Sequence, residues 1–256
     1  MSDAQIALDD PWKALRRRTA ARIALGRAGA ALPTAALLAF ELDHARARDA
    51  VHLALDVDAL DRDLRAFAPS QVRVASAAHD RATYLLRPDL GRRLADDSRE
   101  RLAAVDAPGC DVLFVVGDGL SALGVQRHAA TLLAAVIPLL EGLSVGPIVI
   151  AEQARVALGD AVGAALKARA VVVVIGERPG LTSPDSLGLY LTFAPRVGRH
   201  DAERNCISNV RPEGLPPAAA AAKLAWLIRA SLRLQLSGVA LKDDSAQIDA
   251  SPADRA

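Results

Sequence analysis

The sequence predicts an α/β protein in which a helical N-terminal region precedes a Rossmann-like parallel sheet covered by helices. Three apolar runs of strand length, 111–117, 145–151 and 170–175, carry the prediction. The third has no polar residue on either alternating face, and such a strand must be covered on both sides. Helical patterns over 120–141 and 158–169 separate the runs, which completes the strand–helix–strand alternation.

Residues 1–10 and 242–256 are polar and uncapped, and are read as mobile ends. From Pro11, the positions Trp12, Leu15, Thr19, Ile23 and Gly26 recur at steps of three and four, which predicts a helix that stops at Gly29. Leu32-Pro33-Thr34 makes a turn, with Thr34 capping a second helix to about residue 55. A weaker helical stretch covers 57–67, and 71–94 is mixed, with a turn at Arg87-Pro88-Asp89-Leu90-Gly91. Ser98 is the expected cap of a short helix through Val105. At Pro108-Gly109 the pattern changes, so a helical region over 11–107 is divided from an α/β domain over 108–241. A fourth strand is expected over 189–194, then a long connection over 195–215. Pro216-Pro217 opens a last helix carrying Leu224, Leu227, Ile228, Leu232 and Leu236, closed by Ser237-Gly238.

Composition limits the function classes. Hydrophobic residues make up 52% of the 256 and aromatics only 3%, so the core must be built from Ala, Leu and Val. With 31 basic against 30 acidic residues there is no field to attract nucleic acid or an anionic membrane. The basic run Arg16, Arg17, Arg18 with Arg22 and Arg27 reads as a solvated helix face. Two cysteines, Cys110 and Cys206, without a CxxC pair or a signal peptide, point to a soluble chain in a reducing, intracellular compartment. The longest apolar run, 129–140, contains Pro138 and is shorter than a membrane span.

Ligands of open parallel sheets bind beyond the carboxyl ends of the strands. That rule selects the loops Gly117-Asp118-Gly119, 152–156 and 176–185, with the connection 195–215 as a fourth candidate. Gly117-Asp118-Gly119-Leu120-Ser121-Ala122 fits G-x-G-x-x-A, and Glu152 stands where an acidic residue could hold a ribose. This motif carries an alternative reading, an independent NAD(P)-binding oxidoreductase. Against it, Asp118 would set a carboxylate beside a pyrophosphate; a tight turn needing glycine explains the motif as well. Gly176-Glu177-Arg178-Pro179-Gly180-Leu181 follows the most buried strand, and Glu177 at the strand tip can accept hydrogen bonds from a ligand. Cys206-Ile-Ser208-Asn209 lies in the long connection; His200 is near in sequence, but no third partner completes a nucleophile, so Cys206 reads as a packing or ligand-facing residue. Glu41, His44, Arg48 and His52 form one polar stripe, a surface for another domain or subunit, and no HxxxH or HExxH pair offers a metal site. Walker, G-x-S-x-G and kinase motifs are lacking, and no set of nucleophile, base and oxyanion donors can be named.

Several blocks resemble the ethanolamine ammonia-lyase small-subunit family. They are Arg22-Ile-Ala-Leu-Gly-Arg-Ala-Gly29 with Leu32-Pro-Thr34, and Leu38-Ala-Phe-Glu-Leu-Asp-His44-Ala-Arg-Ala-Arg48-Asp-Ala-Val-His52. Tyr84-Leu-Leu-Arg-Pro-Asp-Leu-Gly91, Asp118-Gly-Leu-Ser-Ala122, Gly176-Glu-Arg-Pro-Gly-Leu181 and Cys206-Ile-Ser-Asn209 follow in the family's order. The resemblance implies a light chain that holds adenosylcobalamin together with a barrel-shaped large subunit carrying the substrate site, in a hexamer of heterodimers. The complex would be a lyase converting ethanolamine to acetaldehyde and ammonia. It would work in the cytoplasm, free or inside a bacterial microcompartment. The family's cofactor-contact positions fall on Val156, Glu177 and Cys206, and no catalytic or metal-ligating residue is expected on this chain. The cobalamin motif D-x-H-x-x-G does not occur, so the resemblance implies that the cofactor keeps its own benzimidazole as lower ligand. A third reading is a purely structural scaffold subunit that never touches its partner's ligand.

Overall fold

The computed structural model describes residues 11–19, 21–68 and 70–244; the expected mobile end at 1–10, and the expected tail beyond residue 244, lie outside them. The apolar runs form the centre of a six-stranded, mostly parallel sheet flanked by helices. Its strands are β1 (Gln71–Ala75), β2 (Cys110–Gly117), β3 (Ile148–Glu152), β4 (Ala168–Gly176), β5 (Leu187–Phe193) and β6 (Arg204–Val210), in the order β1-β3-β2-β4-β5-β6. β1 to β4 are mutually parallel, whereas β5 and β6 run antiparallel at one edge.

Two cores explain why β2 and β4 lack a polar face. Val112, Phe114, Val116, Ala170, Val172 and Val174 point into one core, against α2 (Val57–Arg65), α5 (Ala122–Val136) and α7 (Pro217–Leu234). Leu113, Val115, Val171, Val173 and Ile175 point into the other, against α4 (Asp96–Ala103) and α6 (Leu158–Ala165). Ser121 starts α5 by accepting the Gly124 N–H on its Oγ at 3.2 Å. Pro138 cannot continue the α-helix, and 3₁₀ geometry takes over across Ile137–Leu140. The span Ala122–Leu140 is long and apolar enough to cross a membrane by length and composition. Here Val125, Ala129, Leu132, Leu133 and Val136 are buried in the first core.

Several expectations are corrected. The helix expected up to Gly29 is a 3₁₀ helix over Pro11–Arg18 only, and left-handed backbone at Ala24, Gly26 and Gly29 (φ 52°, 82° and 64°) excludes a continuous helix to Gly29. None of the described side chains from Trp12 to Pro33 is buried, so that apolar period has no face to pack on. Thr34 is the first residue of α1 (Thr34–His52) and makes no capping hydrogen bond. Ser98 lies inside α4 and accepts the Ala75 N–H on its Oγ at 2.9 Å, joining the helix to β1.

β1 lies within the segment read as helical, so the sheet straddles the expected boundary at 107/108. It is an edge strand whose exposed Arg73 bonds Asp58 and Asp61, which gives it a weak apolar signal. The long connection over 195–215 contains β6, another edge strand, buried only at Arg204, Ile207 and Val210, so Cys206 lies on a strand. Arg204 anchors it, donating to both carboxylate oxygens of the buried Asp160 on α6 at 2.7 Å.

Candidate functional site

Parallel pairing sets Gly117 beside Ala151 and Ile175, so the ends of β2, β3 and β4 share one rim. Antiparallel pairing then places Leu187 opposite Gly176, and Val210 opposite Leu187, which brings the start of β5 and the end of β6 to the same rim. An open cavity of about 710 Å³ lies there, with Tyr84, Leu120, Arg155, Val156, Glu177 and Tyr190 in its wall. A mainly apolar cavity of about 540 Å³, walled by Pro108, Cys110 and Ile148, sits at the opposite rim, where the strands begin.

Asp118 organises the loops at the first rim. Its buried carboxylate accepts the N–H groups of Gly119 at 2.8 Å, Ala154 at 2.9 Å and Gln153 at 3.0 Å, with Arg81 Nη1 at 3.3 Å. Burial pushes this carboxyl up to about 6, while the amides and Arg81 pull it down. The turn after β3 is thereby locked, with Gln153 in the left-handed region at φ 52°. Val156 follows it, half-buried against the second core.

The same arrangement removes the dinucleotide reading. Gly119 N–H is spent on Asp118, and Leu120 N–H donates to Gly176 O at 3.0 Å. A Cβ on Gly119 would lie 2.2 Å from Gly176 O, so this glycine serves close packing of two loops. The N-terminus of α5 is covered: Ser121 Oγ donates to Pro184 O at 2.7 Å, and the carbonyls of Asp185 and Ser186 lie over Gly124. No amide cradle for a pyrophosphate is left there. Glu152 is exposed and outside the cavity wall.

Glu177 is the first residue after β4. Its Oε2 accepts the Ser186 hydroxyl at 2.6 Å and the Asn209 N–H at 3.0 Å, joining the β4–β5 loop to the end of β6. Among the described residues none donates to Oε1. Cys206 is exposed, paired with Tyr190 across β5 and β6, and stands outside the cavity wall that Tyr190 helps to build. Desolvation at this position pushes the thiol up, which opposes the thiolate a nucleophile requires. His200 precedes the far end of β6 and serves a 3₁₀ turn through its N–H to Glu203 at 2.7 Å. Val156 and Glu177 thus share one cavity, with Cys206 next to it through Tyr190.

Asp118 and Arg155 are the site residues that sequence reasoning passed over. The clamping role of Asp118 depends on amides distant in sequence, and nothing local marks Arg155. The His44, Arg48 and His52 side chains sit on the exposed α1, away from the cavity wall; His44 stacks on Phe40 at 6.2 Å between centroids. Among the described residues, no group of three or more His, Cys, Asp or Glu side chains could hold a metal ion.

The chain matches the family model described as Ethanolamine ammonia-lyase light chain (EutC) over residues 9–242. It is 58% identical to an ethanolamine ammonia-lyase small subunit of Azotobacter vinelandii, over 96% of this chain and 93% of that one. It is 57% identical to one of Xanthomonas campestris pv. campestris, over 92% and 89%. With one of Rhodopseudomonas palustris the identity is 56%, over 90% and 89%. Extended identity at this level, together with a family match across both cores and the whole rim, establishes that the chain belongs to the ethanolamine ammonia-lyase light-chain family, as a subunit of a lyase.

Proposed function

We propose that this chain is the small subunit of an adenosylcobalamin-dependent ethanolamine ammonia-lyase, and that Val156, Glu177 and Cys206 face the cofactor. The observation that carries the reading is that Val156 and Glu177 share the wall of one open rim cavity in which Glu177 Oε1 has no donor. The residues fit a corrin. Val156 offers an apolar contact for the macrocycle, and a free carboxylate oxygen suits the primary amides at its edge. When bound, the cofactor supplies a radical by homolysis of its cobalt–carbon bond.

The chain's own task is to orient and shield. Glu177 is fixed on Oε2 by Ser186 and Asn209, so Oε1 meets a ligand amide without first being ordered. The loop carrying Val156 is held by two amide bonds to Asp118, from Gln153 and Ala154. Cys206 and Tyr190 face each other as cross-strand partners on the β6 side.

A large subunit would cover the cavity mouth, supply the substrate site and complete the conversion of ethanolamine to acetaldehyde and ammonia in a hexamer of heterodimers. Exposed Leu37, Leu38, Phe40 and Leu42 on α1 are consistent with such a partner. The assembly would operate in the cytoplasm, free or within a microcompartment. Co-expression with a candidate large subunit, followed by assay of aldehyde release with and without adenosylcobalamin, tests this. Release only when both subunits and the cofactor are present is expected; release without the small subunit overturns the proposal.

A further inference from the structure

Arg155 is held in the cavity wall with its charge unanswered. Its backbone N–H donates to Gly91 O at 2.8 Å, and its guanidinium carbon lies 4.4 Å from the Tyr84 ring centroid. Tyr84 is itself fixed by donating to Ala154 O at 3.0 Å. A Cβ on Gly91 would fall 2.9 Å from Arg155 Cγ and 3.0 Å from the Tyr84 ring, so only glycine leaves the stem this path. Arg155 Nε is buried with no hydrogen-bond partner, and no carboxylate among the described residues pairs with the guanidinium. A buried, charged donor without an acceptor costs stability, and a protein that retains one in a cavity wall has a use for it.

Of the neighbouring arginines, Arg178 is exposed, and Arg81 and Arg211 have acceptors. Arg81, also over Tyr84 at 4.8 Å, donates to Val51 O, Gly119 O and Asp118, keeping only Nη2 without an acceptor. Arg211 bonds Asn209 Oδ1 at 3.0 Å and approaches Glu213 at 3.4 Å. The wall thus carries Arg155, Arg178 and Arg211 against a single carboxylate, Glu177, which is already bonded on one oxygen. Its excess charge is positive, and the rigid planar donor suits an oxyanion.

We infer that Arg155 is an oxyanion anchor and that, on the cofactor reading above, it binds the phosphodiester of the cofactor's nucleotide tail. The corrin then lies toward Val156 and Glu177, with the tail running toward Tyr84. Arg155 acts by charge and geometry, and no proton is transferred.

The test uses the assembled complex with wild-type chain, Arg155→Gln and Arg155→Lys, titrated with adenosylcobalamin, adenosylcobinamide phosphate and adenosylcobinamide, which lacks the phosphate. Arg155→Gln is expected to weaken the two phosphate-bearing ligands about tenfold or more and to leave adenosylcobinamide within about twofold, with Lys restoring part of the loss. Equal weakening of all three means that Arg155 only braces Tyr84, which overturns the anchor and leaves the cofactor reading standing. No change with any ligand also overturns the anchor. Failure of the wild-type complex to bind any of the three overturns both. A separate readout is independent of the cofactor and of the variants' folding: inorganic phosphate added to the isotopically labelled full chain should shift the Arg155 Nε–H resonance saturably, and a resonance that stays fixed contradicts the anchor.

Discussion

Glu177 Oε2 accepts the backbone N–H of Asn209 at 3.0 Å, and this bond closes the antiparallel edge of the sheet over the rim cavity. Asn209 reaches it in a left-handed conformation, φ 57°, which an asparagine tolerates better than most residues. Ser186→Ala removes one of the two donors to this oxygen and is expected to cost about 1 kcal/mol. Glu177→Ala strands both donors and is expected to cost about 1–3 kcal/mol while the chain still folds. Urea unfolding of the two variants checks the order; equal losses would show that the Asn209 bond contributes nothing.

Asp160 and Arg204 form a fully buried pair that anchors β6 to α6, with further bonds from Arg204 to Thr192 Oγ1 at 2.9 Å and Arg199 O at 3.0 Å. Asp160→Ala removes the only buried carboxylate of this guanidinium, leaving the exposed Asp201 at 3.5 Å from Nε, and is expected to destabilise by about 3–5 kcal/mol. Adding Arg204→Met removes the stranded charge and should recover most of that loss, because a buried pair contributes less than the penalty of breaking it. A double-mutant cycle by denaturant unfolding decides; a double variant as unstable as the sum of the two single ones would refute it.

Asp118 carries a pH signature. Burial holds its carboxyl at about 6 in the folded chain, against an ordinary 3.8. Between these values the folded state binds more protons than the unfolded one. The contribution therefore falls as pH rises from about 4 to 6 and stays constant above that, a change of about 3 kcal/mol in all. Asp118→Asn should flatten this part of the pH–stability curve. Arg81→Met, which removes the opposing charge, should move the carboxyl further up in a carbon-13 titration.

Two glycines separate packing from backbone strain. Gly119 and Gly142 both have positive φ, 57° and 85°, but an added Cβ meets Gly176 O at 2.2 Å in the first and nothing within 4 Å in the second. Gly142→Ala should cost about 1 kcal/mol, the left-handed penalty alone. Gly119→Ala should cost several times more, because one rim loop must move off the other. Similar melting temperatures for the two variants would contradict the close approach.

The centre of the fold was legible because β2 and β4 are buried on both faces, which leaves an unbroken apolar run in the sequence. The edges were not. β1 exposes Arg73 and β6 exposes Cys206 and Ser208, so each mixes polar with apolar residues as a loop does. The helix expected through Gly29 shows the converse: an amphipathic period without a surface to bury it does not hold a helix against left-handed residues. At the site, Glu177 was legible from its place after the most buried strand. The role of Asp118 was not, because the amides it clamps lie 35 and 36 residues further along the chain. Arg155 could not be found that way, since lacking a partner is a property of the folded chain.

The central claim is that the rim carrying Glu177 binds the cofactor, and equilibrium titration of the assembled complex with adenosylcobalamin tests it most directly. Glu177→Ala should raise the dissociation constant about tenfold, the loss of one charge-assisted hydrogen bond, with wild-type stoichiometry of the subunits. An unchanged dissociation constant in a fully assembled complex would show that this chain supports its partner without touching the ligand.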